Sequence, residues 1–189
     1  QLSPEVNKRD GKYVEGAEPG KIINTVTNEM YDAVDVIPVF YKRQYVEWQD
    51  RGTSTGAPVA IHEADSDIVS TTTRDKSYKD RLPNGNYIQK TAQHFVIISD
   101  GKSAETALIS MYSSQAKISR KWNSMMLGIK MQGKNGLFTP PTYSHIYNLK
   151  TVQMSNDKGT LFGWDVSKVG PVSDKGVYDI AKTFAERVG

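Results

Sequence analysis

The sequence predicts an α+β chain, mainly β with two helices, folded as a small antiparallel barrel or curled sheet in a single domain over residues 1–189. Three observations predict it. Runs rich in Val, Ile, Tyr, Phe and Trp recur between breaks that carry Gly, Asn and Pro. One segment in the middle switches to the three-and-four spacing of an amphipathic helix. A second such segment closes the chain. With 38% hydrophobic and 24% charged residues the composition is that of a globular protein able to bury one sizeable core. The absence of cysteine excludes disulfides, thiolate catalysis and Cys-type zinc sites, and fits a reducing compartment. No apolar run is long enough for a membrane-crossing helix, and no signal peptide is visible. The chain begins at Gln1 rather than Met, so further residues upstream are expected.

Taken in order, residues 1–19 are polar with Pro and Gly punctuation and read as an N-terminal arm. Residues 21–26 are a short strand and Thr27-Asn28-Glu29 a turn. Residues 34–48 form the longest β-rich run; Pro38 inside it requires an edge position, a bulge, or a strand that starts after the proline. Residues 52–80, full of Gly, Ser, Thr, Asp and Lys, read as a long loop. An Asn84-Gly85 turn precedes strands at 87–99 and 106–111, joined at Asp100-Gly101. Ile118, Trp122, Met125, Met126 and Ile129 then mark a helix, capped by Ser113 or Ser114 and ended by Gly133, Gly136, Pro140 and Pro141. Residues 143–154 and 160–169 pair as a hairpin around Asn156-Asp157-Lys158-Gly159. The closing helix, 173–188, is capped by Ser173 or Asp174 and carries Val177, Ile180, Ala181, Phe184 and Val188 as its apolar stripe. Among small barrels with one internal helix, the OB-fold is the commonest match to this order.

Charge is unevenly placed. The net charge is only +3, too mild to indicate nucleic acid by itself. Yet no Asp or Glu lies between Glu105 and Asp157, while Lys117, Arg120, Lys121, Lys130, Lys134 and Lys150 all do. A one-signed segment in a nearly balanced chain favours a polyanionic partner, although solvated charge runs are common. Lys117, Arg120, Lys121 and Ser124 fall on the helix arc opposite Ile118, Trp122 and Met125, where they suit phosphate contacts. Trp122 and the methionines read as packing residues.

Side chains two apart on a strand share a face. Tyr41, Arg43 and Tyr45 therefore project together, as do Tyr143, His145 and Tyr147, and Phe162 with Trp164. Single-stranded nucleic acid needs this mixture, with rings to stack on exposed bases and cations to hold phosphates; each stacked base is worth about 1–3 kcal/mol. Phe162 and Trp164 read better as core. Tyr41, Arg43 and Tyr45 read better as surface, since arginine seldom sits on a buried face.

His62-Glu63-x-Asp65-x-Asp67 resembles a ligand set for a metal-dependent nuclease, but it lies in the loop-like region without EF-hand spacing, and a solvated acidic loop is the simpler reading. No phosphate-binding loop, dinucleotide fingerprint, nucleophile elbow or zinc-protease motif is present. No metal, cofactor or catalytic residue is expected.

Six blocks carry a resemblance over nearly the whole chain: LSPEV (2–6), YVEGAEPG (13–20), IINTVTNE (22–29), IPVFYKRQYVEW (37–48), LISMYSSQAKISRKWNSMM (108–126) and SNDKGTLFGW (155–164). The sequence resembles a family of small tailed-bacteriophage proteins found among replication and recombination genes, similar to a divergent branch of the phage single-stranded DNA-binding proteins. The resemblance implies an OB-fold, coating of single strands during phage replication or recombination, no catalysis, and residence in the host cytoplasm. Many proteins of that class end in an acidic tail that recruits partners; this chain ends in AKTFAERVG, so recruitment is expected to differ.

The expected assignment is a sequence-tolerant single-stranded DNA-binding protein. Tyr41, Tyr45, Tyr143 and Tyr147 would stack bases, while Arg43, Lys117, Arg120, Lys121 and Lys150 would engage phosphates. Phage replication proteins are further expected partners, and no membrane is. Two rivals stand beside it: a metal-dependent nuclease or recombination enzyme using Glu63, Asp65 and Asp67, and a phage protein-interaction module whose basic helix binds an acidic protein.

Overall fold

Val36 and Ile37 are neighbours in sequence, so on a strand they point to opposite faces, yet both are fully buried. The sheet must therefore be covered on both sides at this point. A computed structural model describes residues 4–50, 56–99, 104–156 and 159–189. The first half of the chain holds β1 (Ile22–Ile23), β2 (Met30–Tyr31), β3 (Ala33–Trp48), β4 (Ala60–Glu63), β5 (Thr73–Arg74), β6 (Asp80–Arg81) and β7 (Tyr87–Ser99). Then come β8 (Ala104–Tyr112), α1 (Ala116–Leu127), β9 (Met131–Gly133), β10 (Gly136–Phe138), β11 (His145–Asn156), β12 (Gly159–Pro171) and α2 (Lys175–Val188).

The long strands β3 and β7 run antiparallel through the centre. β3 pairs with β11 along Ala33–Val36 and with β4 along Gln44–Glu47, while β7 pairs with β8 and, at its start, with β6. The order β12-β11-β3-β7-β8, with α1 between β8 and β11, is an OB-like connectivity. The antiparallel sheet curls into a half-barrel, as the strand and turn pattern predicts. Pro38 is accommodated by a bulge, the register shifting between Pro38 and Phe40.

The inner face carries Val34, Val36, Val96, Ile98, Met111, Tyr147 and Leu149, and Trp122 and Met126 of α1 close it. The outer face at Ile37, Val39 and Ile97 lies under Ala181, Val177 and Phe184 of α2. Asp174 caps α2, its carboxylate accepting from the Val177 N–H at 3.0 Å.

Several expectations need correction. The segment 52–80 is not a plain loop where it is described: it contains β4, a 3₁₀ turn at Asp67–Thr71, β5 and the start of β6. Charges pin it to the sheet. Asp50 pairs with Lys79 and Arg81 at 2.8 Å each, and Arg81 also reaches Asp75 at 2.8 Å. Arg81 first, then Lys79, pulls the Asp50 carboxyl down to about 2. Neither Ser113 nor Ser114 caps α1; Ser113–Gln115 form a 3₁₀ turn, and Gln115 occupies the cap position without a side-chain cap bond. The helix ends at Leu127 with Gly128 as its C-cap, and Gly133 and Gly136 belong to the β9–β10 hairpin. The Asp100-Gly101 link, and Asp157 and Lys158 of the later turn, lie outside the described residues.

Candidate nucleic-acid interface

The rotation of α1 is fixed by what its inner side touches. The Trp122 ring stacks on His94 with centroids 4.6 Å apart and meets Tyr147 edge-on at 5.9 Å. Ser119 Oγ lies 2.8 Å from His94 Nε2. At 3.6 residues per turn, Lys117, Arg120, Lys121, Ser124 and Leu127 then fall on the outer arc, and all five are exposed. Lys121 Nζ is 3.6 Å from Asp165 on β12, and Lys150 Nζ of β11 is 3.9 Å from the same carboxylate. Two cations from different elements thus meet at one acid. Lys117 and Arg120 make no ion pair among the described residues. The predicted basic face is real as geometry.

The predicted tyrosine trough is not assembled. Tyr147 is fully buried on the inner face, so it offers no platform for a base; β11 turns it and Leu149 alike toward α1. Burial pushes its hydroxyl pKa up, and Tyr147 Oη has no hydrogen-bond partner among the described residues. Tyr143 does not stand on a strand with Tyr147. The preceding Pro141 opens a 3₁₀ turn at Thr142–Ser144, and the Tyr143 ring packs edge-on against Tyr178 of α2 at 5.3 Å. Burial first, then Tyr178 and Glu186, raises the Tyr143 hydroxyl pKa.

Tyr41, Arg43 and Tyr45 do share a face, in register with His94, Ala92 and Lys90 of β7. That face is continuous with the inner core. Tyr41 is half-buried with its ring 5.0 Å from His94, Tyr45 is half-buried opposite His62 of β4, and Arg43 is exposed. Of the two rings expected in the core, Trp164 packs against it, while Phe162 is 43% exposed and lies over Gly20.

Of the acidic segment, His62 and Glu63 are engaged in structural contacts, while Asp65 and Asp67 are exposed. His62 Nε2 lies 3.0 Å from Glu47, a buried carboxylate that also accepts from Asn86 at 2.5 Å and Asn84 at 3.2 Å. The Asn86 bond, helped by His62 and Asn84, holds the Glu47 carboxyl below the usual range against the opposing effect of burial. Glu63 pairs with Lys42 at 3.0 Å and accepts from Gln44 at 3.2 Å. Among the described residues no three His, Cys, Asp or Glu side chains gather as a metal site.

Two features escaped the sequence reading. The open side of the half-barrel is a groove of about 780 Å³ between β8 and residues 22–27, with Val36, Val96, Leu149 and Trp164 among its walls. Among the described residues the β9–β10 hairpin pairs with no strand of the main sheet. Its signal was present in the Asn135-Gly136 dipeptide between apolar residues, with Gly136 at φ +107°.

No helix among the described residues is long and apolar enough to cross a membrane. No curated protein and no solved structure matches this chain. One family model does, over all of residues 1–189. The exposed cationic helix and OB-like half-barrel are thus those of a bacteriophage protein, and the chain belongs to the Pam3 phage gp34-like protein family.

Proposed function

We propose that this phage protein binds single-stranded DNA with little sequence preference, as a non-catalytic coat on strands exposed during replication or recombination. The observation that carries this reading is the exposed cationic arc of α1. Lys117 and Arg120 stand free of carboxylates among the described residues, within a stretch from Thr106 to Asn156 that contains no acid at all. Such an arc attracts a polyanion by counterion release, a mode that needs no base-specific contact. The OB-like half-barrel supports it as a scaffold that commonly presents single strands along a curved sheet. The phosphate-contacting residues are Lys117, Arg120 and Lys121, with Lys150 beside them at Asp165; Arg43 is an exposed cation on β3.

The test is fluorescence anisotropy of labelled oligo(dT), and of a duplex of equal length, with and without magnesium. Tighter binding of oligo(dT) than of duplex, with no cleavage, is expected. Magnesium-dependent cleavage would instead favour the nuclease reading. No binding of either nucleic acid at low salt would leave the interaction-module reading in place.

A further inference from the structure

The β9–β10 hairpin is the most exposed apolar feature beside the cationic arc. Among the described residues its two strands pair only with each other, in register Gly136↔Gly133, Leu137↔Gln132 and Phe138↔Met131, around Lys134-Asn135. Opposed residues share a face, so Met131 and Phe138 point one way and Leu137 the other. Both faces are open to solvent. Leu137 is 72% exposed, Phe138 45% and Met131 41%, and Leu127, which leads into the hairpin from α1, is 68% exposed. An isolated two-stranded ribbon is marginal in water and gains nothing from leaving apolar groups on both sides bare.

The charged residues next to these groups in the chain are cationic. Lys130 and Lys134 are exposed, and the acid-free stretch runs through the whole hairpin. The hairpin follows α1 directly in the chain. Lys117, Arg120, Ser124 and Leu127 follow one another at three- and four-residue steps along α1, which ends at Leu127, and β9 begins at Met131 after the short link 128–130. A partner that reaches from α1 to the hairpin meets positive charge, then exposed apolar and aromatic surface with Lys130 and Lys134 beside it in the chain. An unpaired nucleic-acid strand has both complements, phosphates for the lysines and flat base faces for Phe138, Met131 and Leu137.

We infer that the β9–β10 hairpin is the base-contacting element of this protein, taking unpaired nucleobases of the strand whose phosphates lie along α1. The inference rests on the single-strand reading and deepens it, since it moves the stacking role from the strand tyrosines to the hairpin. Phe138 packs across the ribbon over Gly133, whose added Cβ would lie 3.2 Å from the ring. The ring is thereby held in place while nearly half of it stays open.

The experiment compares the full chain with Leu137→Ser plus Phe138→Ser, and separately with Lys130→Ala plus Lys134→Ala. Anisotropy is read on oligo(dT) over a range of salt, and quenching on the same oligomer carrying 2-aminopurine. The expected result is that the apolar pair weakens binding by about tenfold or more at every salt concentration, abolishes 2-aminopurine quenching and leaves the salt slope unchanged. The lysine pair should flatten the slope. Circular dichroism of both variants should match the parent, because these residues lie outside the core. Unchanged affinity and quenching in the apolar variant, with the parent still binding oligo(dT), would overturn the hairpin's role and leave the single-strand reading standing. A parent that does not bind oligo(dT) would overturn that reading itself. Hairpin-dependent binding to vesicles of phosphatidylglycerol in place of oligo(dT) would overturn both and assign the surface to anionic lipid.

Discussion

The backbone N–H of Trp164 donates to Gln115 Oε1 at 2.8 Å, joining the edge strand β12 to the 3₁₀ turn that follows β8. β8 and β12 are the two edges at which the half-barrel stays open, and no strand pairing among the described residues joins them. A single side chain supplies one of the missing links. Gly163, next to Trp164, makes room for it: a Cβ there would lie 2.4 Å from Met154 Sδ and 2.8 Å from Gln115 Nε2. Trp164 can therefore stay packed against the inner core while its backbone reaches outward.

Gln115→Ala and Gly163→Ala should both destabilise the fold, and not additively. The first removes one hydrogen bond, worth about 0.5–1.5 kcal/mol. The second forces Met154 and Gln115 aside, a crowding that costs about 1–3 kcal/mol at most sites, and the low end is expected because both neighbours are flexible. Since each change disturbs the same link, the double variant should lose less than the sum of the two. Urea unfolding of the four proteins measures this; strict additivity would mean that Gly163 is needed for something other than Gln115.

His94 gives the fold an acid-side weakness. It is 1% exposed, enclosed by Tyr41, Ser119 and Trp122, and burial pushes its pKa down to about 4. In the unfolded chain a histidine titrates near 6.5. Between these values the unfolded state binds a proton that the folded state refuses, so stability falls as the pH drops below about 6.5 and the loss is complete near 4. The gap corresponds to about 3 kcal/mol. His145 is also held low, by burial and then by Lys168, so the measurement is the difference between the parent and His94→Gln. The parent should lose more stability than the variant across this window. Glu47, Asp50 and Asp75 are also held low, but a lowered carboxylate favours the folded state, so what they contribute is present above the ordinary carboxylate range and lost only as the pH falls below about 4. Parallel curves for parent and variant would show that His94 is not held neutral by the core.

The buried Tyr147 and the half-exposed rings separate packing from binding. Tyr147→Phe removes a hydroxyl that has no partner among the described residues, so stability should hold or rise by about 1 kcal/mol, with oligo(dT) affinity unchanged. Tyr147→Ala should cost about 3–5 kcal/mol through the cavity it leaves beside Trp122. Tyr45→Ala should leave the core largely intact, Tyr45 being half-buried at the far end of β3 from Trp122's contacts. Loss of DNA affinity in Tyr147→Phe at full stability would reverse this assignment.

The fold was legible because its signals are local. The stripe from Ile118 to Ile129 has helical spacing, the run 87–99 has the composition of a strand, and Asp174 stands where a cap belongs. The cationic arc was legible for the same reason, since helical spacing says which residues oppose Trp122. The tyrosines were not, because alternation tells which side chains share a face and is silent on which face the rest of the chain will cover. Tyr41 and Tyr45 share a face as expected, but α1 covers that face toward the Tyr41 end. Tyr143 was lost to a 3₁₀ turn set by the prolines before it, and the placing of 56–80 rests on ion pairs such as Asp50–Lys79 that join residues far apart in sequence.

Asp165 restrains the surface that the proposed function uses. It sits between Lys121 and Lys150, at 3.6 and 3.9 Å, and all three side chains are at least one-third exposed. Exposed pairs of this kind contribute about 0–1 kcal/mol to stability, so Asp165→Asn should barely change the unfolding midpoint. Its effect on binding should be larger, because the carboxylate both neutralises two candidate phosphate contacts and repels the strand. Affinity for oligo(dT) should rise at low salt, and the salt slope should steepen by up to about 0.7 for each lysine released to a phosphate. The same substitution on a Lys121→Ala, Lys150→Ala background should gain much less, since only the repulsion is then removed. Equal gains on both backgrounds would mean that the two lysines do not touch the strand, leaving Lys117 and Arg120 to hold it.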